Sequence, residues 1–356
     1  MKKALIFGFG GQGKQLLRVM NGLGIEVAVC DTDPAKFGPQ TPTTKESWAR
    51  SFPDLVECGP IPKIYTNWQA CLKENPGVDI VAVATWTKNH EPVAIEAAKS
   101  GARAILCEEP MATSLYGARR IIGACADNNV LLTVHHTRRW WPAHQEIRKL
   151  IQEGTIGDLR HISISCGGAR VSDLGTHWID FARWITDAEV NSVTGWLYPI
   201  EEPNPRGPQF KDYPAEILIN FDNDVKTFIN EGPGIVTPLH YEIVGTRGLI
   251  TNDQVGRSEN WVVKMRSGKN LSPVRDYYGE MEEVRISAPQ DLRMEEWGRV
   301  AVLQLLEGKT TFCGGKDGYE TLEVLIAAHV SHRERNMPIK LPLVDPQDLA
   351  YKMKSA

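Results

Sequence analysis

Four stretches of this sequence combine residue types and spacings that can do chemistry: GFGGQG (8–13), the apolar run ILCEEPMA (105–112), HHTRRWW (135–141) and DLGTHWID (173–180). In the first, glycines at 8, 10 and 13 allow a tight turn and close backbone approach, so a dinucleotide pyrophosphate can lie on the N-terminus of the helix that follows. Gly8, Phe9, Gly10, Gly11, Gln12 and Gly13 are therefore candidate cofactor contacts. Asp31 ends the next apolar run, where a carboxylate accepts from ribose hydroxyls and repels a 2'-phosphate. No arginine follows it within DTDPAK, so NAD(H) is expected over NADP(H), with Lys36 as the one local cation.

DLGTHWID spaces Asp173, His177 and Asp180 by four and three residues, which on a helix puts all three on neighbouring parts of one face. One reading is a helix capped by Asp173 with His177 satisfied in the core. A second is a catalytic pair, since histidine moves protons near neutral pH and a nearby carboxylate raises its basicity and orients its ring. A metal site with His135 and His136 is a third, though no HxxxH or HExxH spacing supports it. The doubled carboxylate of ILCEEPMA is either a solvated turn or part of a cofactor site. A carboxylate about 4 Å from a developing oxyanion opposes it by about 1 kcal/mol in water and roughly 4 kcal/mol near a protein surface. Glu109 must then turn toward a cation such as Lys88 or Arg139, or face substrate and itself accept a proton, its pKa raised by burial and by Glu108. The second arrangement is preferred, because Pro110 restricts the backbone there.

The elements that must hold these residues alternate along the first part of the chain. ALIFG, EVAVCD, VDIVAVAT, ARAILCEE and VLLTVHH read as buried strands, separated by helices over about 12–23, 91–100 and 114–128, the last capped by Thr113 and Ser114. That is a doubly wound parallel sheet over residues 1–137. Residues 41–63, rich in proline and polar side chains but holding Trp48 and Phe52, read as an irregular excursion. From 138 to 356 the pattern changes: a helix over PAHQEIRKLIQEG ends at Gly154, and LRHISISC, EVNSVTGWLY, EILINFD, VKTFINE, HYEIVG and WVVKMRS follow. These predict an α/β domain with a large, mostly antiparallel open sheet. Two late helices, about 293–306 and 319–335, are expected to cover one of its faces.

The 356 residues exceed one hydrophobic core, so two domains are expected. A net charge of -4 without a basic stripe argues against nucleic acid. The seven scattered cysteines, none spaced CxxC, suggest neither disulfides nor structural zinc and fit a reducing cytoplasm. The opening MKKALIFGFG reads as a strand rather than a secretory signal, and no apolar stretch is long enough to span a bilayer.

Together these motifs resemble the oxidoreductase family named for glucose-fructose oxidoreductase, inositol dehydrogenase and MocA, over nearly the whole chain. GFGGQG with Asp31, ATWTKNHEPVAIEAAKSG, LCEEPMA, HHTRRWWP with EGTIGDL, DLGTHWID, YEIVGTRGLI and YETLEVLIAAHVSHR carry the resemblance in order. It implies a Rossmann domain, then a substrate domain whose open sheet forms a homo-oligomer, dimer or tetramer. The reaction implied is hydride transfer between nicotinamide and a hydroxyl-bearing ring carbon. It also implies roles: His177 as acid/base, Asp173 as its substrate-binding partner, Glu108 as the acid near the cofactor, Thr85 and His90 in the loop flanking the dinucleotide, and Arg139 at the domain junction. Two departures stand out. The family's Glu-Lys-Pro motif carries Glu109 in place of lysine, and HISISC runs almost directly into GGARVSDLG where relatives often insert a substrate loop. Arg170 in that short loop is a candidate substrate contact.

Three functions are consistent with these residues: an NAD-dependent dehydrogenase of a sugar, cyclitol or related polyhydroxy compound, with the proton transfers made by the protein; a redox-assisted elimination or glycoside cleavage that retains its NAD; and a non-catalytic NAD(H) sensor, against which the presence of His177 and Asp173 argues.

Overall fold

The computed structural model describes residues 1–38, 41–42, 44–200, 207, 210–235, 237–254, 257–266, 281–287, 294–309 and 311–354. They form two units: Met1–Trp140 with Leu292–Tyr319, and Trp141–Asp291 with Glu320–Ser355. The first unit holds strands β1 (Lys3–Phe7), β2 (Glu26–Cys30), β3 (Lys63–Tyr65), β4 (Ile80–Val83), β5 (Ala104–Cys107) and β6 (Leu131–Val134). They pair in parallel in the order β3-β2-β1-β4-β5-β6. The crossovers carry α1 (Gly11–Gly22), α2 (Lys45–Ser51), α3 (Trp68–Glu74), α4 (His90–Lys99) and α5 (Leu115–Asp127). β4 and β5 are buried along their whole length, as strands of a sheet covered on both faces must be. The order reverses between β1 and β4, so the crevice for a ligand lies beyond their carboxyl ends. Ser114 caps α5 by accepting from Gly117 N–H at 3.1 Å.

Residues 41–63 are more regular than their composition suggests. Thr44 and Ser47 form a reciprocal capping box that starts α2, and a 3-10 turn follows over Pro53–Cys58. A single helix of seven residues is too short to show a hydrophobic period in sequence. Its purpose is visible in packing: Trp48 and Phe52 are buried against Phe9 of the glycine loop, with ring centroids 6.1 and 5.4 Å away, and Phe37 stacks on Phe9 at 5.1 Å. The excursion thus builds an aromatic wall behind the loop.

In the second unit α6 (Pro142–Gln152) ends before Gly154, which takes φ +71°. Then come β7 (Leu159–Ser165), α7 (Thr176–Thr186), β8 (Val190–Leu197), β9 (Ala215–Phe221), β10 (Lys226–Glu231), β11 (His240–Gly245), β12 (Gly248–Gln254), β13 (Arg257–Arg266) and β14 (Met281–Ser287). The chain next returns to the first unit as α8 (Met294–Leu306), then continues through α9 (Gly315–Arg333), β15 (Ile339–Lys340) and α10 (Pro346–Leu349). The nine strands run β14-β13-β12-β11-β7-β10-β9-β8-β15, antiparallel except for the parallel pair β7 and β10. Ile162, Ile164, Ile217, Ile219, Ile229 and Tyr241 form the sheet's side of the core. α9 covers it closely enough that a Cβ at Gly195 would lie 2.8 Å from the Ala328 Cα.

Two expectations change. Domains continuous in sequence, 1–137 and 138–356, do not describe the chain, because 292–319 belongs to the first unit. α8 accordingly covers α1 rather than the second sheet: a Cβ at Gly298 would sit 3.6 Å from Val19 and 3.8 Å from Leu16. A helix's periodicity reveals that one face is buried but not against which partner. Strands β3, β12, β14 and β15 were not foreseen, being short or weakly alternating.

Trp48→Ala should cost about 3 to 5 kcal/mol, the usual range for emptying a buried aromatic site, and weaken NAD binding by removing the support behind Phe9. Urea unfolding read on the first unit checks it. A cost below about 1 kcal/mol would mean that the aromatic wall is not a cohesive core.

Candidate active site

The glycine loop is fixed by sterics. Gly8 takes φ +93°, and a Cβ there would overlap the Ala84 carbonyl at the end of β4. A Cβ at Gly13 would overlap the Gly8 carbonyl, so helix and strand approach only because both residues are glycine. At Gly10 and Gly11 an added Cβ would meet no protein atom within 4 Å, so these positions front the start of α1 as an open cradle. Asp31 anchors the loop from the neighbouring strand: Phe9 N–H donates to Oδ2 at 2.8 Å and Asp33 N–H to Oδ1 at 2.9 Å. Each carboxylate oxygen has a second lone pair, which leaves acceptors for ribose hydroxyls. Backbone N–H groups at a helix start, a cradle and an acid at the end of β2 together fit a dinucleotide.

Beyond β5 lies Glu108, buried with 7% exposure. Its Oε1 is 2.7 Å from His135 Nδ1 at the end of β6, and its Oε2 accepts from Gln12 Nε2 of α1 at 3.2 Å. Burial pushes the carboxyl up, but the adjoining His135 and the Gln12 hydrogen bond outweigh it and hold Glu108 below the ordinary carboxylate range. His135 was considered in sequence only as a metal ligand. Its position directly after a strand and the adjacent buried acid are the signal that would have found this pairing. The neighbouring Glu109 is half-buried and precedes a cis peptide to Pro110. Its place beside Glu108 follows from chain order, while the two carboxyls differ in setting.

His90 ties two loops of the same unit. Its Nδ1 lies 3.0 Å from the Pro110 carbonyl and its Nε2 2.9 Å from the Thr85 carbonyl. Burial lowers its pKa, against the two carbonyls and the Glu108 charge, which favour the protonated ring. Thr85 is half-buried at the end of β4, its hydroxyl donating to Trp86 O at 3.3 Å. Arg139 is 3% exposed, and its Nη1 donates to the Phe312 carbonyl at 2.7 Å and to Asp317 at 2.9 Å. These bonds fasten the returning 292–319 segment, a task its place in the sequence did not suggest.

In the second unit, Asp173 and His177 do not share a regular helical face. Val171–Gly175 is a π-type turn, wider than an α turn, with Gly175 N–H donating to Arg170 O at 3.1 Å, and α7 begins only at Thr176. Asp173 is therefore not its cap. The N–H groups at its start are held from outside: Val171 donates to Tyr213 O at 3.0 Å and Ser172 to Asp212 Oδ1 at 2.9 Å. Asp180 points into the core and accepts from Thr321 of α9 at 3.1 Å, separating it from the pair. Asp173 is exposed and His177 half-buried, whereas Trp178 through Ala182 are buried. Arg170, half-buried, donates to the Asp212 carbonyl at 3.1 Å.

These features define an NAD-binding Rossmann oxidoreductase with a second α/β unit. Residues 2–136 match the model described as "Oxidoreductase family, NAD-binding Rossmann fold", and 144–251 match "GFO/IDH/MocA C-terminal domain". The chain belongs to the Gfo/Idh/MocA oxidoreductase family. It is 27% identical over 333 residues to an inositol 2-dehydrogenase of Acidothermus cellulolyticus, covering 90% of this chain and 88% of the relative. Against scyllo-inositol 2-dehydrogenase (NAD(+)) of Bacillus subtilis identity is 26% over 286 residues, 75% of this chain and 79% of the relative. The fold also matches levoglucosan dehydrogenase solved with NADH and levoglucosan, at TM-score 0.75 and 19% identity, covering 96% of this chain and 100% of that one. An Agrobacterium radiobacter oxidoreductase solved with NAD+, L-tartaric acid and magnesium matches at TM-score 0.73 and 20% identity, over 95% and 98%. Among the described residues no helix is long and apolar enough to cross a membrane.

Two outcomes follow from this geometry. Asp31→Ala should weaken NAD more than NADP, because the ribose acceptors go, and should weaken both somewhat, because Phe9 N–H loses its anchor. Calorimetric dissociation constants check this, and a wild type that prefers NADP contradicts it. The second concerns acid. His90 and Glu108 both have folded pKa values below their unfolded ones, near 6.5 and 4.3, so the unfolded chain binds more protons as pH falls. Stability should decline below about pH 6.5 through His90 and further below about 4.3 through Glu108. In urea titrations His90→Gln should flatten the decline between those values; an unchanged slope refutes the assignment.

Proposed function

We propose that this chain is an NAD(H)-dependent dehydrogenase of a sugar, cyclitol or related polyhydroxy compound. The observation that carries this reading is the presence, in one chain, of a dinucleotide cradle with a histidine and an acid kept out of the core: His177 is half-buried on α7 and Asp173 exposed on the turn before it. A core histidine does not need that exposure. The named activities of the inositol 2-dehydrogenase relatives support the substrate class.

Bound nicotinamide supplies the hydride acceptor. The chain's residues do the remainder. GFGGQG (8–13) and the start of α1 hold the pyrophosphate, and Asp31 holds the ribose. Thr85 and His90 shape the flanking loop, and Glu108, fixed by His135 and Gln12, sets a negative charge at the end of β5. In the second unit, His177 accepts the proton from the substrate hydroxyl. Asp173 binds a neighbouring hydroxyl and favours the charged imidazole, and Arg170 contacts substrate. Glu109 faces substrate as a second proton acceptor, since a carboxylate opposes rather than stabilises an oxyanion. The seven free thiols support a cytoplasmic setting. The half-buried Leu218 and Phe228, alternating with buried neighbours on β9 and β10, support pairing of copies through the open sheet face.

The resemblance supports a second reading, an elimination in which NAD is retained, because it puts Glu109 where the family motif carries lysine. A base there suits removal of a proton from carbon beside a transiently oxidised centre.

The test is net NADH formation with a panel of cyclitols and sugars. The dehydrogenase reading expects NADH; leaving-group release without NADH favours the second. His177→Ala should cut turnover by about 10² to 10⁴ with the NAD dissociation constant unchanged, and Glu109→Gln should abolish turnover with NAD still bound. A loss below roughly tenfold for His177→Ala returns that residue to a structural role, and wild-type turnover in Glu109→Gln makes Glu109 a surface charge.

A further inference from the structure

Glu231, the last residue of β10, is 1% exposed, and neither of its carboxyl oxygens makes a hydrogen bond among the described residues. A buried acid so placed is costly as an anion and has to be explained. Its surroundings all belong to the second unit. Oε2 lies beneath the π-type turn, where a Cβ on Gly175 would approach it to 2.6 Å. The carboxylates whose charge it feels are Asp212, on the segment before β9, and Asp173, on the turn itself. Burial first, then these two like charges, drives its pKa well above the ordinary carboxylate range, which favours the neutral acid.

The turn is held from three directions. Tyr213 O takes Val171 N–H, Asp212 Oδ1 takes Ser172 N–H, and Glu231 lies under Gly175. The first two bonds fix the turn's leading edge, before Asp173. At its trailing edge, between Asp173 and His177, Gly175 lies directly over Glu231. We propose that Glu231 is a positioning residue: it is the floor on which Gly175 rests, and through that contact it sets where the turn presents Asp173 and how α7 presents His177. Gly175 is required because the acid leaves no room for a side chain. A neutral acid also keeps one O–H donor, which an aliphatic residue of the same size lacks, and Asp212 and Asp173 are the carboxylate acceptors in its surroundings. Thr176 Oγ1 and Ser172 Oγ on the same turn are likewise buried without hydrogen-bond partners, so this is a polar patch in which small shifts find new partners cheaply. The consequence for substrate binding rests on the proposed role of Asp173; the placement of the turn does not.

The test compares wild type with Glu231→Gln, Glu231→Ala, Gly175→Ala and the double variant Gly175→Ala/Glu231→Ala, by amide hydrogen exchange over 171–177 and by steady-state kinetics at fixed pH. Glu231→Gln keeps shape and neutrality, so its exchange and KM should stay within about twofold of wild type. Glu231→Ala should speed exchange over 171–177 at least tenfold and raise substrate KM, with the NAD dissociation constant unchanged. Gly175→Ala should do the same through steric conflict, and the double variant should recover part of the loss because the conflicting carboxyl is gone. Unchanged exchange in Glu231→Ala overturns the proposal. So does Glu231→Gln as damaged as Glu231→Ala, which would mean that an ionised carboxylate is needed. So does a double variant that simply sums the two losses. Should any variant fail to fold, the Glu231→Gln comparison still decides between a neutral and a charged role. Faster exchange in Glu231→Ala with unaltered KM supports the proposal while contradicting the substrate role of Asp173, so the two failures are distinguishable.

Discussion

One buried carboxylate ties the first unit together. Glu108 ends β5, bonds His135 at the end of β6 and receives Gln12 from the first turn of α1, so three segments converge on one charge. An anion with 7% exposure is tolerated only where partners saturate it. Removing any partner therefore disturbs the others, and the geometry of the glycine loop depends on elements distant in sequence. Asp31 does the same from the other side through Phe9 N–H, and the aromatic wall of Phe37, Trp48 and Phe52 backs the ring of Phe9. Loop rigidity is thus a property of the whole unit, not of its glycines alone.

The second unit is built on a different principle. Asp173 and His177 sit where a helix fails to start regularly. The turn over Val171–Gly175 closes with a π-type hydrogen bond from Gly175 N–H to Arg170 O; Asp173 on it is exposed and His177, just after it, is half-buried.

Much of this was legible in sequence because the periods were long. Five of six parallel strands, the glycine loop with its acid and the antiparallel texture of the second half were read from alternation and turn chemistry, and the structure has them. Short elements were not legible: α2 spans two turns, and β3 and β15 are three and two residues long. Partners were not legible either. Helical spacing located α8 but not the surface it covers, and the four-and-three spacing of Asp173, His177 and Asp180 assumed one α-helix, whereas Asp173 lies in a π-type turn and α7 begins only at Thr176. Glu231 left no signal, because one glutamate ending a strand looks like a solvated charge until the turn above it is seen.

The central claim is that hydride passes from a substrate carbon to a nicotinamide that then leaves as NADH. A cyclitol or sugar bearing deuterium at the oxidised carbon, incubated with excess NAD and the wild-type protein, tests it directly by mass spectrometry of the released dinucleotide. The account predicts one deuterium in the nicotinamide ring of free NADH, in proportion to ketone formed. Product that retains its deuterium, or turnover with no labelled NADH in solution, would contradict it.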